Sequence, residues 1–212
     1  MPERLNTPIL CKQVPRFGNK FSYWLGTSVL RMLGWRYSGA FPCCPKMILA
    51  IAPHTSNWDF VIGVGVAFNL RLKISFFGKH SIFIPPFDRL LRHFGGIPIE
   101  RSSKHGVVDN MAKSMRDADS MILCLAPEGT RSPISPWKTG FLHIAHKANV
   151  PVFLVAFDYK KKLIEFGPMH NISDNTQHEL NRIYRHFENV PGKYPDKMIT
   201  KVIPPVEKEI EQ

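Results

Sequence analysis

The chain has 212 residues, 44% of them hydrophobic and 11% aromatic, a composition that excludes a solvated, coreless polymer and fits one globular domain with a sizeable core. Its formal net charge of +11 and pI near 9.7 call for an anionic partner: a phospholipid surface, a phosphorylated substrate, an acidic acyl carrier protein or a nucleic acid. Zinc-finger spacing, an RNA-binding aromatic signature and a long basic helix are all missing from the sequence, which sets nucleic acid aside.

In chain order, Phe21 to Trp35 is apolar and aromatic but too short and interrupted to cross a bilayer about 30 Å thick. Flanked by Lys20, Arg31 and Arg36, it fits a helix lying in a membrane interface, and equally a helix packed on the body of the protein. Lys46 to Ala52 reads as a short buried strand ending at Pro53, and Trp58 opens a helix. The aromatic, proline and basic stretch from Phe76 to Phe87 suits either an acyl-chain groove or buried core. Gly95 to Ser102 combines paired glycines, a brief extended run and Arg101. Lys104 to Ala118 and Gly140 to Ala148 carry apolar residues at helical spacing, with Ser120 to Ala126 as a strand between them. Pro151 to Tyr159 is a buried strand, and Lys162 to Phe166 pairs beside it. Thr176 with Glu179 resembles a capping box for a helix to about Asn189. Alternating strands and helices predict an α/β domain with a largely parallel central sheet flanked by helices. The expected layout is an amino-terminal segment over 1–40, a main α/β domain over 41–190 and a surface tail over 191–212.

Two polar clusters follow strand ends. The first, Ala52-Pro53-His54-Thr55-Ser56-Asn57-Trp58-Asp59, places an imidazole on a loop and a carboxylate in the first turn of the next helix. Neutral imidazole, with an ordinary pKa of about 6.5, takes a proton from a hydroxyl near neutral pH, and a carboxylate beside it fixes the tautomer and stabilises the imidazolium. The second cluster is Glu128-Gly129-Thr130-Arg131, where glycine permits close backbone approach and an arginine fork suits phosphate. Open α/β sheets bind ligands at that strand edge.

The ordered set His54-x-x-x-x-Asp59, Gly96-x-x-x-x-Arg101, Glu128-Gly129-Thr130-Arg131 and Val150-Pro151-Val152-Phe153-Leu154 resembles the glycerolipid acyltransferase family, whose best-known members are lysophosphatidic acid acyltransferases. The likeness runs from about Lys46 to Tyr159, and Trp137-Lys138-Thr139-Gly140-Phe141 extends it. Pro53, where family members often carry asparagine, and Pro98, where many carry an aromatic residue, depart from the pattern. The resemblance implies a glycerol-3-phosphate acyltransferase-like fold and transfer of a fatty acyl group from a thioester, acyl-CoA or acyl carrier protein, to a lysophospholipid hydroxyl. The expected acceptor is 1-acyl-sn-glycerol 3-phosphate. His54 would be the general base and Asp59 its partner. Gly96, Arg101, Glu128, Gly129, Thr130 and Arg131 would bind substrate, the arginines holding phosphate. A thioester is already an activated carbonyl, so neither a nucleophilic residue nor a resident cofactor is called for.

The remaining features read as scaffold. Cys11, Cys43, Cys44 and Cys124 match no metal motif, so reduced thiols are expected. His80, His93, His105, His143 and His146 lack the partners of a zinc signature, and no phosphate-binding glycine motif for a nucleotide is present. No secretory signal stands at the amino terminus, so a peripheral protein on the cytoplasmic face of an anionic membrane is the expectation. Two rivals remain: a lipid hydrolase, disfavoured by the missing Gly-x-Ser-x-Gly elbow, and a lipid-binding protein without chemistry.

Overall fold

Every side chain of the run from Met47 to Ala52 has a packing partner, because the strand it forms lies in the middle of a sheet covered on both faces. The computed structural model describes residues 5–99, 104–130 and 137–198. Within them β1 (Arg36–Ser38), β2 (Lys46–Ala52), β3 (Ile74–Lys79), β4 (Gly96–Ile99), β5 (Met121–Leu125), β6 (Val152–Asp158) and β7 (Leu163–His170) form one seven-stranded sheet in the order β1-β7-β6-β2-β5-β3-β4. All neighbours are parallel except β6 and β7, which are antiparallel across a tight turn with Lys162 at φ 53°. The expected α/β architecture with a mostly parallel sheet is the one observed.

Period-two alternation divides the core between the faces. Ile48, Ala50 and Ala52 of β2, with Val152, Leu154 and Ala156 of β6, meet helices α4 (Lys104–Asp117), α5 (Gly140–Ala148) and α6 (Thr176–Phe187). Met47 and Leu49, with Phe153, Val155 and Phe157, meet α1 (Lys20–Met32) and α2 (Trp58–Leu70) on the other side. Leu5, Val14, Trp35 and Tyr37 belong to that second core, so the amino-terminal residues pack on the same body. The short α3 (Phe87–His93) joins β3 to β4.

Helix α1 packs closely on α2. The crossing is close because Gly26 carries no side chain: a Cβ there would come within 2.5 Å of the Asn69 amide nitrogen and 2.6 Å of the Gly65 carbonyl oxygen. A buried relay of neutral polar groups fixes the crossing, with the Tyr37 hydroxyl donating to Asn69 Oδ1 at 2.8 Å and Asn69 Nδ2 donating to Thr27 Oγ1 at 2.8 Å. The outer side of α1 leaves Phe21, Trp24 and Met32 exposed. In the Phe76–Phe87 stretch, Phe83 is buried beneath the Arg92 guanidinium, while Ile82, Ile84 and Phe87 face solvent.

Two expectations need correction. Cys11 and Cys43 form a disulfide rather than two free thiols, because residues 5–19 fold back and bring their Cα atoms to 5.5 Å; Cys44 and Cys124 remain thiols. Helix α6 is capped by Asn175, whose side chain accepts from the His178 amide, while Glu179 turns inward to Ser173 and Arg182 instead of closing a capping box with Thr176. Residues 191–198 run along the surface and are tied to the body: the Pro191 carbonyl accepts from the Tyr159 amide and the Tyr194 amide donates to Thr55 Oγ1, strapping this segment across the loop after β2.

Candidate active site

The carboxyl ends of β5, β2 and β6 lie side by side at one sheet edge. Strand β2 leads into α2 on one face and β5 is followed by α5 on the other, so the chain leaves two adjacent strands in opposite directions. A crevice opens at such a switch point, and ligands of open α/β sheets bind there.

His54 stands on the loop after β2, following a cis peptide between Ala52 and Pro53. Its Nδ1 lies 3.1 Å from Asp59 Oδ2; the imidazole side chain is 27% exposed and the carboxylate 3%. Asp59 sits in the first turn of α2, where the positive end of the helix dipole favours an anion. The Ser56 amide donates to the same Oδ2 at 2.8 Å, and Ser56 Oγ accepts from the Trp58 amide at 2.9 Å, closing the loop onto the helix start. A carboxylate facing Nδ1 holds the proton on that nitrogen and directs the lone pair of Nε2 outward. The arrangement therefore leaves an imidazole nitrogen able to accept a proton at an accessible point of this sheet edge.

Glu128 enters from the β5 side. The backbone turns sharply at Gly129, where φ is 65° and a Cβ would press within 2.9 Å of Lys138 Cγ, so glycine is required. That turn directs the Glu128 carboxyl inward, where Oε1 accepts from the His54 amide at 2.8 Å. Oε2 is buried with no hydrogen-bond partner among the described residues. Burial pushes the Glu128 carboxyl up to about 7, with the His54 amide bond opposing the shift in part. Glu128 is thus poised between its neutral and charged forms near physiological pH, a state found at functional sites.

His54, Asp59 and Glu128 come together at this edge, with Gly129 making the turn and Thr130 following it. Gly96 lies elsewhere: it opens β4 at the opposite edge, where a Cβ would meet the Leu91 carbonyl oxygen at 2.8 Å and the Phe83 ring at 3.0 Å, a packing role. Arg101 and Arg131 lie outside the described residues. Sequence reasoning missed Tyr159, whose hydroxyl donates to Asp59 Oδ1, and Thr55, which anchors the 191–198 strap. A polar aromatic residue immediately after the wholly buried β6 was the available signal for Tyr159.

The protein is a three-layer α/β domain with a buried carboxylate beside a part-exposed histidine at the switch point, an arrangement compatible with general-base chemistry. Residues 44–158, more than half of the chain, match the family model described as Acyltransferase, and the chain belongs to that family. It is 29% identical over 128 residues to the 1-acyl-sn-glycerol-3-phosphate acyltransferase of Escherichia coli K12, covering 57% of this chain and 51% of that protein. To the enzyme of the same name from Haemophilus influenzae it is 28% identical over 142 residues, covering 62% and 57%. The chain thus spans little more than half the length of these relatives. The crystal structure of the 1-acyl-sn-glycerophosphate (LPA) acyltransferase PlsC from Thermotoga maritima has the same fold, with a TM-score of 0.56 at 18% identity over 82% of this chain and 80% of that one.

Proposed function

We propose that the protein transfers a fatty acyl group from a thioester donor, acyl-CoA or acyl carrier protein, to the hydroxyl of a lysophospholipid, with 1-acyl-sn-glycerol 3-phosphate as the first acceptor to test. The supporting observation is the His54–Asp59 pair at 3.1 Å, with the carboxylate buried and the imidazole reachable. In this mechanism His54 Nε2 removes the acceptor hydroxyl proton as the oxygen attacks the thioester carbonyl. The tetrahedral intermediate then collapses, the C–S bond breaks, and the thiolate recovers the proton from the imidazolium. General-base assistance contributes roughly a hundred- to ten-thousand-fold, and alignment of the two substrates supplies several kcal/mol more. Asp59 stabilises the transient positive charge. In sequence Arg101 comes shortly after β4 and Arg131 directly after Glu128-Gly129-Thr130; we assign both to the acceptor phosphate. Glu128, by its bond to the His54 amide, ties the acceptor side of the crevice to the base.

The acceptor and donor are amphiphilic, and the surface suits a membrane interface. Phe21, Trp24 and Met32 on α1, Trp58, Phe60 and Val61 on α2, and Ile84, Phe87 and Leu90 around α3 are exposed, on a chain of net charge +11. Among the described residues no helix is long and apolar enough to cross a membrane. We infer peripheral docking on anionic lipid, which the cytoplasmic leaflet supplies. Disulfides are rare in the cytosol, so a thiol count on alkylation-trapped protein tests this placement against the Cys11–Cys43 bridge.

The test is transfer of labelled acyl groups from acyl-CoA and acyl carrier protein into a panel of lysolipids by wild type and His54→Ala. Product from lysophosphatidate that disappears in His54→Ala supports the assignment. Undiminished product in the variant removes His54 as base, and free fatty acid formed without acceptor identifies a hydrolase.

A further inference from the structure

We propose that Tyr159 is a positioning residue for the His54–Asp59 pair, its hydroxyl holding Asp59 so that the carboxylate fixes both the orientation and the basicity of the imidazole. The kinetic part of this assignment rests on the acyl-transfer function proposed above; the hydrogen-bond chain Tyr159–Asp59–His54 does not.

Asp59 is a buried anion, and a carboxylate has about four lone-pair positions to satisfy. Oδ2 takes the Ser56 amide and His54 Nδ1, and Oδ1 takes the Tyr159 hydroxyl. Without that hydroxyl, Oδ1 would lose its donor in a site where solvent is scarce, and the carboxylate's charge would fall on its two remaining partners, the Ser56 amide and His54 Nδ1. The donor arrives from an independent strand. Ala52 pairs with Ala156, so the register of β2 against β6 sets Tyr159 beside the loop that begins at Pro53.

The Tyr159 ring is itself fixed from several sides. Its amide donates to the Pro191 carbonyl at 3.1 Å, and its ring meets Trp35 edge-on at 4.9 Å with an interplanar angle of 89°. The Lys162 ammonium stands 5.7 Å from the ring centroid. Burial, with the bond to Asp59 second, raises the ionisation of Tyr159 far above its ordinary range, so the hydroxyl remains a donor across the working pH range. A residue serving only to fill space would need none of this: phenylalanine would pack against Trp35 as well.

Other titratable and charged groups near the pair are Glu128 from the β5 side, Tyr194 from the 191–198 strap, Lys162 over Tyr159, and Lys193, whose ammonium lies 4.3 Å from the Trp58 ring. None of them changes in Tyr159→Phe, which removes one oxygen. The experiment follows the His54 imidazole by NMR across a pH titration in wild type and Tyr159→Phe, alongside kcat and KM. A carboxylate deprived of a donor keeps more of its charge for the imidazolium, so the His54 titration is expected to move upward by about half a pH unit or more in Tyr159→Phe. In the transfer assay kcat should fall by roughly 3- to 30-fold with KM for donor and acceptor unchanged. Incorporating 3-fluorotyrosine at position 159, a stronger donor of the same shape, should move the titration the other way and covers the case in which the phenylalanine variant folds poorly. Identical His54 titrations in wild type and both variants would overturn the proposal. A shifted titration in a protein that transfers no acyl group would keep Tyr159 as a positioning residue and discard the acyl-transfer function; His54-dependent transfer with unshifted titrations would do the reverse.

Discussion

Two buried polar regions lie at opposite ends of α2, and they are built on different chemistry. At the amino end, Asp59, Glu128, Ser56 and Thr55 crowd the sheet edge around His54, and two of the buried groups are carboxyls. At the carboxyl end, Tyr37, Asn69 and Thr27 form a neutral relay in which each donor meets an acceptor. Burying a neutral, matched hydroxyl or amide costs little, whereas burying a carboxyl costs several kcal/mol unless its charge is compensated or its proton retained. The crossing of α1 on α2 therefore reads as construction, and the sheet edge as a place where stability is given up for chemistry. Substitutions of similar size at the two ends should separate activity from stability.

The largest separation is expected at Asp59→Asn. An amide in that position no longer stabilises an imidazolium, and its own donor competes for the Nδ1 side of His54. Turnover in the acyl-transfer assay should fall by roughly a thousandfold, with little change in the thermal midpoint. Pre-steady-state transfer with saturating donor and acceptor, beside a melting curve, measures both. A loss explained wholly by unfolding would mean that Asp59 only caps the loop.

Glu128→Gln should sharpen the contrast through pH. The carboxyl is raised from 4.5 to about 7 by burial, so between those values the folded protein binds a proton that the unfolded chain has released. Stability then falls as pH rises, since its slope follows the protons bound unfolded minus those bound folded. The contribution is fully present below about 4.5 and is lost as pH rises through about 7. Glutamine keeps an acceptor for the His54 amide and cannot ionise. Relative to wild type, the variant should therefore gain stability between pH 5 and 8, by up to about 3 kcal/mol. Denaturant melts at the two pH values check this, and parallel curves for the two proteins would refute it. Activity should drop, as expected where a destabilising group serves the site.

Gly26→Val tests the other end of the helix. Its side chain would collide with backbone rather than with a flexible neighbour, since the Asn69 nitrogen and Gly65 oxygen lie 2.5 and 2.6 Å from a Cβ. Overpacking of this kind costs about 2 to 3 kcal/mol. Turnover per folded molecule should stay within about twofold of wild type, because residues 58 and 59 stand at the far end of α2 from the clash.

Much of the fold was legible because its strongest signals are local. The continuous apolar runs Met47 to Ala52 in β2 and Val152 to Phe157 in β6 announced a sheet buried on both faces, and apolar residues spaced helically from Lys104 to Ala118 announced α4. His54 and Asp59 were legible because a strand end and the next helix start lie within one short loop. What stayed hidden depends on distant residues meeting. Cys11 and Cys43 pair only because residues 5–19 fold back, and the Glu128 bond to the His54 amide needs β5 beside β2. Tyr159 reaches Asp59 through the register of β6, and the 191–198 strap reaches Thr55 across 139 positions of sequence. Strand order decides the Glu128 and Tyr159 contacts and the packing of loops on the body decides the other two, and local spacing carries no information about either. Glu179 misled for a related reason: its carboxylate was taken by Ser173 and Arg182 from outside the cap.

Tyr37→Phe is the mildest test. The ring stacks on Phe166 at 5.6 Å with an interplanar angle of 15°, and phenylalanine retains that contact. What it removes is the hydroxyl that donates to Asn69 Oδ1, leaving a buried amide oxygen without its donor. That loss costs about 1 to 2 kcal/mol. Burial holds the Tyr37 hydroxyl in its neutral form, so the deficit should be the same at pH 5 and pH 8, in contrast to the sloping difference expected for Glu128→Gln. Turnover should match wild type. A pH-independent loss of stability with intact activity would establish that this end of α2 is a structural joint. A fall in kcat without loss of fold would instead show that the α1–α2 crossing is coupled along the helix to Asp59, and the separation between the two ends would fail.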